Sequence, residues 1–264
     1  MKEKAETQYH APALEKGLDI LELLAQSPQP LSTQAIAEQI GRKTNEMYRM
    51  LMVLRDRGYV SMDDSGSRYQ LTLKMFEMAH RFPPTKRLVQ AALPRMEELC
   101  HEISQSCHLS VARPGHLLVV AQYENPDKMG FGLRLGAKID ICGSGSGAVM
   151  LAFLDEPRRE RILAASDATQ QEVDRTRALF DPIRQQGYHV GPSPQVQGLT
   201  NISFPVFGVH DVIEAVITIP YLTLIPEAMH REVPSIDRCR EQLGELADAL
   251  TLAIGGRLPA GTTS

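Results

Sequence analysis

The residues with the most chemical content per unit length lie between positions 42 and 49: Arg42, Lys43, Thr44, Asn45, Glu46, Tyr48 and Arg49, with only Met47 apolar among them. These types match the edges of nucleic-acid bases and the phosphates beside them. An arginine can fork onto guanine, an asparagine can pair with adenine, and a glutamate can accept from the cytosine amino group, each good bidentate pair discriminating by about 1–3 kcal/mol. Arg42, Lys43 and Arg68 suit phosphate contacts, which add affinity and salt dependence without reading sequence. Arg49 suits either role. Thr33 joins the set as a hydroxyl at the start of the preceding helix.

Two further clusters could do chemistry. Gly143-Ser144-Gly145-Ser146-Gly147 precedes an apolar run and could cradle a phosphate or carboxylate on exposed backbone N–H groups. It matches neither a dinucleotide-binding fingerprint nor a P-loop, and neither serine has the spacing of a nucleophile elbow. A flexible loop that starts a helix close to a sheet is the plainer reading; a polar-backbone lining for a small-molecule pocket combines both. Cys100-His101 and Cys107-His108 offer zinc-type ligands at a spacing that fits no structural zinc site. Packing cysteines and surface histidines are the expectation there, and no metal or cofactor is expected. A small-molecule-binding or hydrolytic enzyme with an accessory helical domain is the alternative function, although no nucleophile with its base is evident.

The elements that must position the first cluster are legible around it. Leu14, Leu18, Ile20, Leu21 and Leu24 recur at helical spacing from Ala13 to Ala25, and Ser27-Pro28-Gln29-Pro30 ends that helix. Ser32 or Thr33 caps a short helix to Ile40. Gly41 supplies a turn in which positive φ is cheap only for glycine. Thr44 is expected to cap the next helix, whose buried stripe is Met47, Met50, Leu51 and Leu54. Tyr59–Met62 and Arg68–Leu71 then form a hairpin over Asp63–Ser67. That order is a winged helix-turn-helix over 13–72, with an ordinary αα-hairpin as the bland alternative.

Residues 1–12 are expected to be a flexible arm and 73–85 a linker ending at Pro83-Pro84. From about Lys86 to Ser104 a longer helix should kink or restart at Pro94. Strands follow at Cys107–Arg113, His116–Tyr123 and Gly130–Leu135. After the helix Ala148–Leu154 and helical segments to Gln186, further strands fall at Tyr188–Val190, Thr200–Phe207 and Val212–Ile219. A last helix spans about Glu227 to Ala253, its stripe Ile236, Leu243, Leu246 and Leu250 reading as a core face. Residues 86–256 therefore form an α+β unit with an antiparallel sheet, and 257–264 a tail.

With 264 residues, 43% of them hydrophobic and no tryptophan, the chain has material for two packed cores. The net charge of −4 argues against a surface coated for nucleic acid, but 1–82 are balanced while 83–264 carry the whole deficit. The bases are concentrated where the motif would meet phosphate. No CxxC, no signal-type leader and no long apolar stretch occur, so a cytoplasmic protein without membrane contact is expected.

Read as a whole, the chain resembles the IclR family of bacterial transcription regulators. ALEKGLDILELLA at 13–25, YRMLMVLRDRGYV at 48–60, RYQL at 68–71 and LGAKIDICGSGSGAVMLAFL at 135–154 fit that family's blocks in order. The resemblance implies a winged helix-turn-helix joined by a linker helix to a GAF/PAS-like α/β effector domain. It further implies a homodimer or dimer of dimers on double-stranded, pseudo-palindromic operator DNA, answering to a small metabolite. Carried over by position, the effector site comprises Phe131, Ile139, Gly145, Ser146, Gly191, Leu199, Asn201, Thr218 and Pro220. KTNEMYR at 43–49 departs from the usual opening of the recognition helix, so the operator should differ. Cys142, Ala148, Gly191 and Pro220 replace polar residues common in the family. On that basis the pocket has lost polar anchors, so a small hydroxy- or keto-acid effector is not assumed.

Overall fold

The computed structural model describes residues 10–80, 83–127, 130–223 and 234–258. The chain divides into two compact units, 1–83 and 84–264.

In the first unit, α1 (Pro12–Gln26), α2 (Thr33–Ile40) and α3 (Thr44–Asp56) enclose a core of Ile20, Leu24, Ile36, Ala37, Met47 and Leu51. Val60 and Tyr69 of the strands β2 (Val60–Met62) and β3 (Arg68–Leu71) complete it. Ser32 caps α2 by accepting from the Ala35 N–H at 3.2 Å. Gly41 ends α2 at φ 71°, and Arg42 N–H returns to the Ala37 carbonyl at 2.9 Å. That tight left-handed turn is what swings α3 across α2.

Three details depart from expectation. Leu31–Ser32 form a short strand, β1, that pairs with β3 (Leu31 opposite Tyr69), so the wing is a three-stranded sheet in the order β1-β3-β2. The cap position of α3 is Lys43, with no side-chain cap, and Thr44 is already helical. Leu14 and Leu18 are 63% and 49% exposed: the apolar stripe of α1 is wider than the face its own unit buries.

The wing turn is held by one carboxylate. Asp63 Oδ1 accepts from the Ser65 hydroxyl at 2.7 Å and from the N–H groups of Ser67 and Arg68, both at 3.3 Å. The Ser65 hydroxyl chiefly, with those two N–H groups, holds its pKa below the usual value. The helix α4 (Lys74–His80) follows.

The second unit opens on α5 (Pro83–Ile103), which runs as a single helix through Pro94 and forgoes one backbone bond there. A six-stranded antiparallel sheet is built from β4 (Cys107–Arg113), β5 (His116–Tyr123), β6 (Lys138–Asp140), β7 (His189–Pro192), β8 (Leu199–Phe207) and β9 (Ile213–Leu222). Its order is β6-β5-β4-β9-β8-β7. One face packs on α5 and α10 (Ile236–Ala253) through Met96, Ile103, Leu109, Ile217, Leu243 and Leu250. The other carries α6 (Gly145–Phe153) and α9 (Phe180–Gln186), with Val149, Leu151, Ile183 and Val216 in its core. Between them on the chain lie α7 (Glu156–Ala164) and α8 (Gln170–Arg177). The expected α+β architecture is the observed one.

The strand expected at Gly130–Leu135 is irregular; pairing is taken up instead by Lys138–Asp140 on β5. The helix expected from Ala148 begins three residues earlier, inside the glycine-rich run, with Ser144 as its cap. Glu227, taken as the start of the last helix, lies outside the described residues, as do 1–9 of the arm, 81–82 of the linker and 259–264 of the tail.

Candidate functional site

At the first turns of α3 the side chains of Arg42, Lys43, Thr44, Asn45, Tyr48 and Arg49 are exposed, as is Arg68 on the wing. Thr33 is half-buried as the first residue of α2. Turn, helix start and wing strand therefore present these residues in one unit on solvent-facing positions, as a groove-binding surface requires. Glu46 differs. Its carboxylate is taken by Lys16 of α1 at 2.5 Å, and that hydrogen bond chiefly lowers its pKa, with Lys43 and Arg42 adding to the effect. In this arrangement Glu46 ties α1 to α3 and is not free to accept from a base.

In the second unit the register of the sheet decides which residues meet. Antiparallel partners point to the same face. His189 lies opposite Ser203, Ser203 opposite Thr218, Thr218 opposite His108, and His108 opposite Gln122. Cys107 and Leu109 point into the α5–α10 core, so this five-residue polar row crosses the α6 face from β7 to β5. The adjacent row is Gly191, Asn201 and Pro220. The structure thus brings Gly191, Asn201, Thr218 and Pro220 together, with Leu199 on the same face of β8.

Helix α6 closes over this region. A Cβ on Gly145 would lie 2.9 Å from His189 Cδ2 and 3.5 Å from Asn201 Cβ; a Cβ on Gly191 would lie 2.8 Å from His189 Nε2. The two glycines are the space that the His189 imidazole fills. Ser144 Oγ accepts from the Gly147 N–H at 3.0 Å, and the buried Ser146 lies in the first turn of α6. Phe131 sits on the irregular segment whose Gly132 approaches Ser106 and Gln122, at the β5 end of the row. Ile139 is not part of the group. It packs with Leu117 in the α6–α9 core, five residues along β5 from Gln122 and about 17 Å away at about 3.4 Å per residue.

The row holds one hydrogen bond, Ser203 Oγ to Thr218 Oγ1 at 2.9 Å. His108 is only 3% exposed and neither ring nitrogen has a partner among the described residues. Burial pushes its pKa down to about 4, and burial lowers that of His189 as well. An unpaired buried polar group costs about 1–3 kcal/mol, which makes the buried imidazole a candidate for contact with a ligand. His108 was expected at the surface; the structure buries it. The signal was present in CHLSV, where His108 and Ser110 alternate with residues of a strand buried on both faces. Cys100 and Cys107, by contrast, lie sulfur to sulfur at 3.4 Å in the opposite core. No group of ligands suited to a metal occurs among the described residues.

A cleft of about 420 Å³ opens elsewhere, at the far ends of β4 and β5, lined by His116, Lys138, Asp140, Cys142 and Glu172 among others. None of the residues carried over for the effector site lines it. Glu172 there is already engaged in a capping box with Thr169. The sheet face, where the His108 nitrogens are buried without partners among the described residues, is the stronger candidate for a specific ligand.

Residues 84–251 match the bacterial transcriptional regulator IclR C-terminal family, and residues 13–64 match the IclR helix-turn-helix domain. The chain belongs to the IclR family. It is therefore a DNA-binding transcriptional regulator with the family's effector domain, and the enzyme alternative falls. Among its relatives is the HTH-type transcriptional regulator KdgR of Escherichia coli, 26% identical over 79% of this chain and 81% of that protein. The glycerol operon regulatory protein of Streptomyces coelicolor is 26% identical over 74% and 78%. The IclR-type fold is shared with Pseudomonas aeruginosa HmgR (TM-score 0.73, 22% identity, 93% of this chain and 100% of that one). It is shared too with an IclR homologue from Microbacterium hydrocarbonoxydans solved with 4-hydroxybenzoate (TM-score 0.75, 19% identity, 92% and 98%). No helix among the described residues is long and apolar enough to cross a membrane.

Proposed function

We propose that this IclR-family regulator is ligand-responsive: a small organic acid bound between α6 and the sheet sets the affinity of α3 for its operator. The single observation that carries the reading is the polar row on the α6 face, with the His108 nitrogens buried and unpaired. Gly145, Ser146, Gly191, Asn201, Thr218 and Pro220 border the ligand, with Leu199 and Phe131 at the margins. The 4-hydroxybenzoate in one structural neighbour supports the chemical class.

On the DNA side, Arg42, Lys43 and Arg68 neutralise phosphates, while Asn45, Tyr48 and Arg49 face base edges, with Thr33 and Thr44 supporting the approach. The functional unit is a cytoplasmic homodimer or dimer of dimers reading half-sites spaced by one helical turn, about 34–36 Å. The exposed Leu14 and Leu18 support association of the N-terminal units. The names of the relatives support control of a catabolic operon.

The test is a mobility-shift titration on DNA flanking the chain's own coding region at two salt concentrations. Arg49→Ala should weaken specific binding at least about tenfold, and Lys43→Ala should lower the salt slope by about one. Unchanged affinity in both variants would overturn the assignment of α3 as the reading helix.

A further inference from the structure

The family's usual polar residues are missing at 142, 148, 191 and 220, yet the sheet face is not apolar. Gly191 leaves room for His189 two positions away on the same strand, and His108 enters from β4. Anchoring has moved, not vanished.

The geometry sets two separate ends. His189 and His108 stand on β7 and β4 with β8 and β9 between them, three strand spacings or about 14 Å along the sheet. The His189 end lies under the first turn of α6, whose Gly145 and Ser146 N–H groups favour a negative charge. The His108 end carries no positive side chain in the row, only Gln122 and the Ser203–Thr218 hydroxyl pair.

We propose that His108 is the specificity-determining residue of this site, selecting small acids that carry a neutral hydrogen-bonding group, such as a hydroxyl, at the end remote from the carboxylate. The inference rests on the reading of the α6 face as the effector site. A neutral imidazole is the right partner for such a group, because it offers one donor and one acceptor and a hydroxyl offers both in return. Burial keeps His108 in that neutral form. An acid ending in a methyl group would gain no hydrogen bond from the imidazole and bind more weakly than its hydroxylated counterpart.

Isothermal titration of the full chain with matched pairs tests this: hexanoate against 6-hydroxyhexanoate, and 4-methylbenzoate against 4-(hydroxymethyl)benzoate. The hydroxylated member of each pair should bind at least about tenfold more tightly. His108→Leu should bring the members of each pair within about twofold of one another, and His108→Gln, which restores a donor and an acceptor, should recover part of the difference. Ligand-free His108→Leu should melt at a higher temperature than the wild type at neutral pH, which separates loss of selection from loss of folding. Discrimination that survives His108→Leu, no preference within the wild-type pairs, no binding of any probe, or a lower melting temperature of the variant would overturn the proposal. Binding of the simple acids that is insensitive to Ser146→Val and Asn201→Ala would sink the effector-site reading itself. If those substitutions matter while His108 does not, only the selectivity role falls.

Discussion

A buried imidazole with both nitrogens unpaired makes His108 the residue whose removal says most. Its pKa of 6.5 in the unfolded chain falls to about 4 in the fold, so the native state binds the proton less readily than the unfolded one. The stability this neutral form allows is fully present above pH 6.5 and is lost as pH falls from 6.5 towards 4, amounting to about 3 kcal/mol below that range. His189, depressed in the same direction by burial, adds to the loss with the same sign. Chemical denaturation between pH 7 and 4 should therefore show a shallower decline in His108→Leu than in the wild type. Equal slopes would mean that the imidazole is not held neutral.

Among the elements, α6 is the one on which the proposed site of the second unit depends. It can begin at Gly145 because Gly147 lies against the Ile141 carbonyl: a Cβ there would come within 2.1 Å of that oxygen, a backbone atom that cannot give way. Gly147→Ala should cost about 1–3 kcal/mol through overpacking, read as a lower urea midpoint, whereas an unchanged midpoint would show that the helix can start further from the strand. The sequence displayed much of this element but not its start, because a run of alternating glycine and serine reads as loop until a cap, here Ser144, is known to be used. The winged unit was legible nearly residue by residue, since a short helix, a glycine turn and a hairpin each have local signatures. Leu31–Ser32 escaped as a strand because two residues have no periodicity; only the partner Tyr69 defines them. The strand expected at Gly130–Leu135 failed for a related reason, as glycine-rich alternation mimics a strand while the pairing with His116–Leu118 selects Lys138–Asp140. Carrying over pocket positions from the family found Gly191, Asn201, Thr218 and Pro220 in mutual register. Ile139, carried over with them, packs apart from that group, and His108, which shares their face, was not carried over, since its neighbours come from β9 and β5 and not from its own stretch of chain.

At the scale of the whole molecule, two units have separate cores: α3 and the wing expose the basic residues proposed to meet DNA, and the sheet face of the second unit holds the His108 imidazole, unpaired among the described residues. Ligand and DNA need not meet for one to govern the other, provided that the ligand prefers one of two arrangements of the chain and DNA prefers one as well. Coupling of this kind is worth about 1–3 kcal/mol, or about 5- to 150-fold in affinity. The most direct measurement is an anisotropy titration of the full chain on DNA flanking its coding region, with and without a saturating concentration of the hydroxylated acid that binds most tightly. A change in DNA affinity of at least about fivefold in the wild type, lost in His108→Leu at the same ligand concentration, is the expected result. DNA affinity that stays the same with the site saturated would contradict the account.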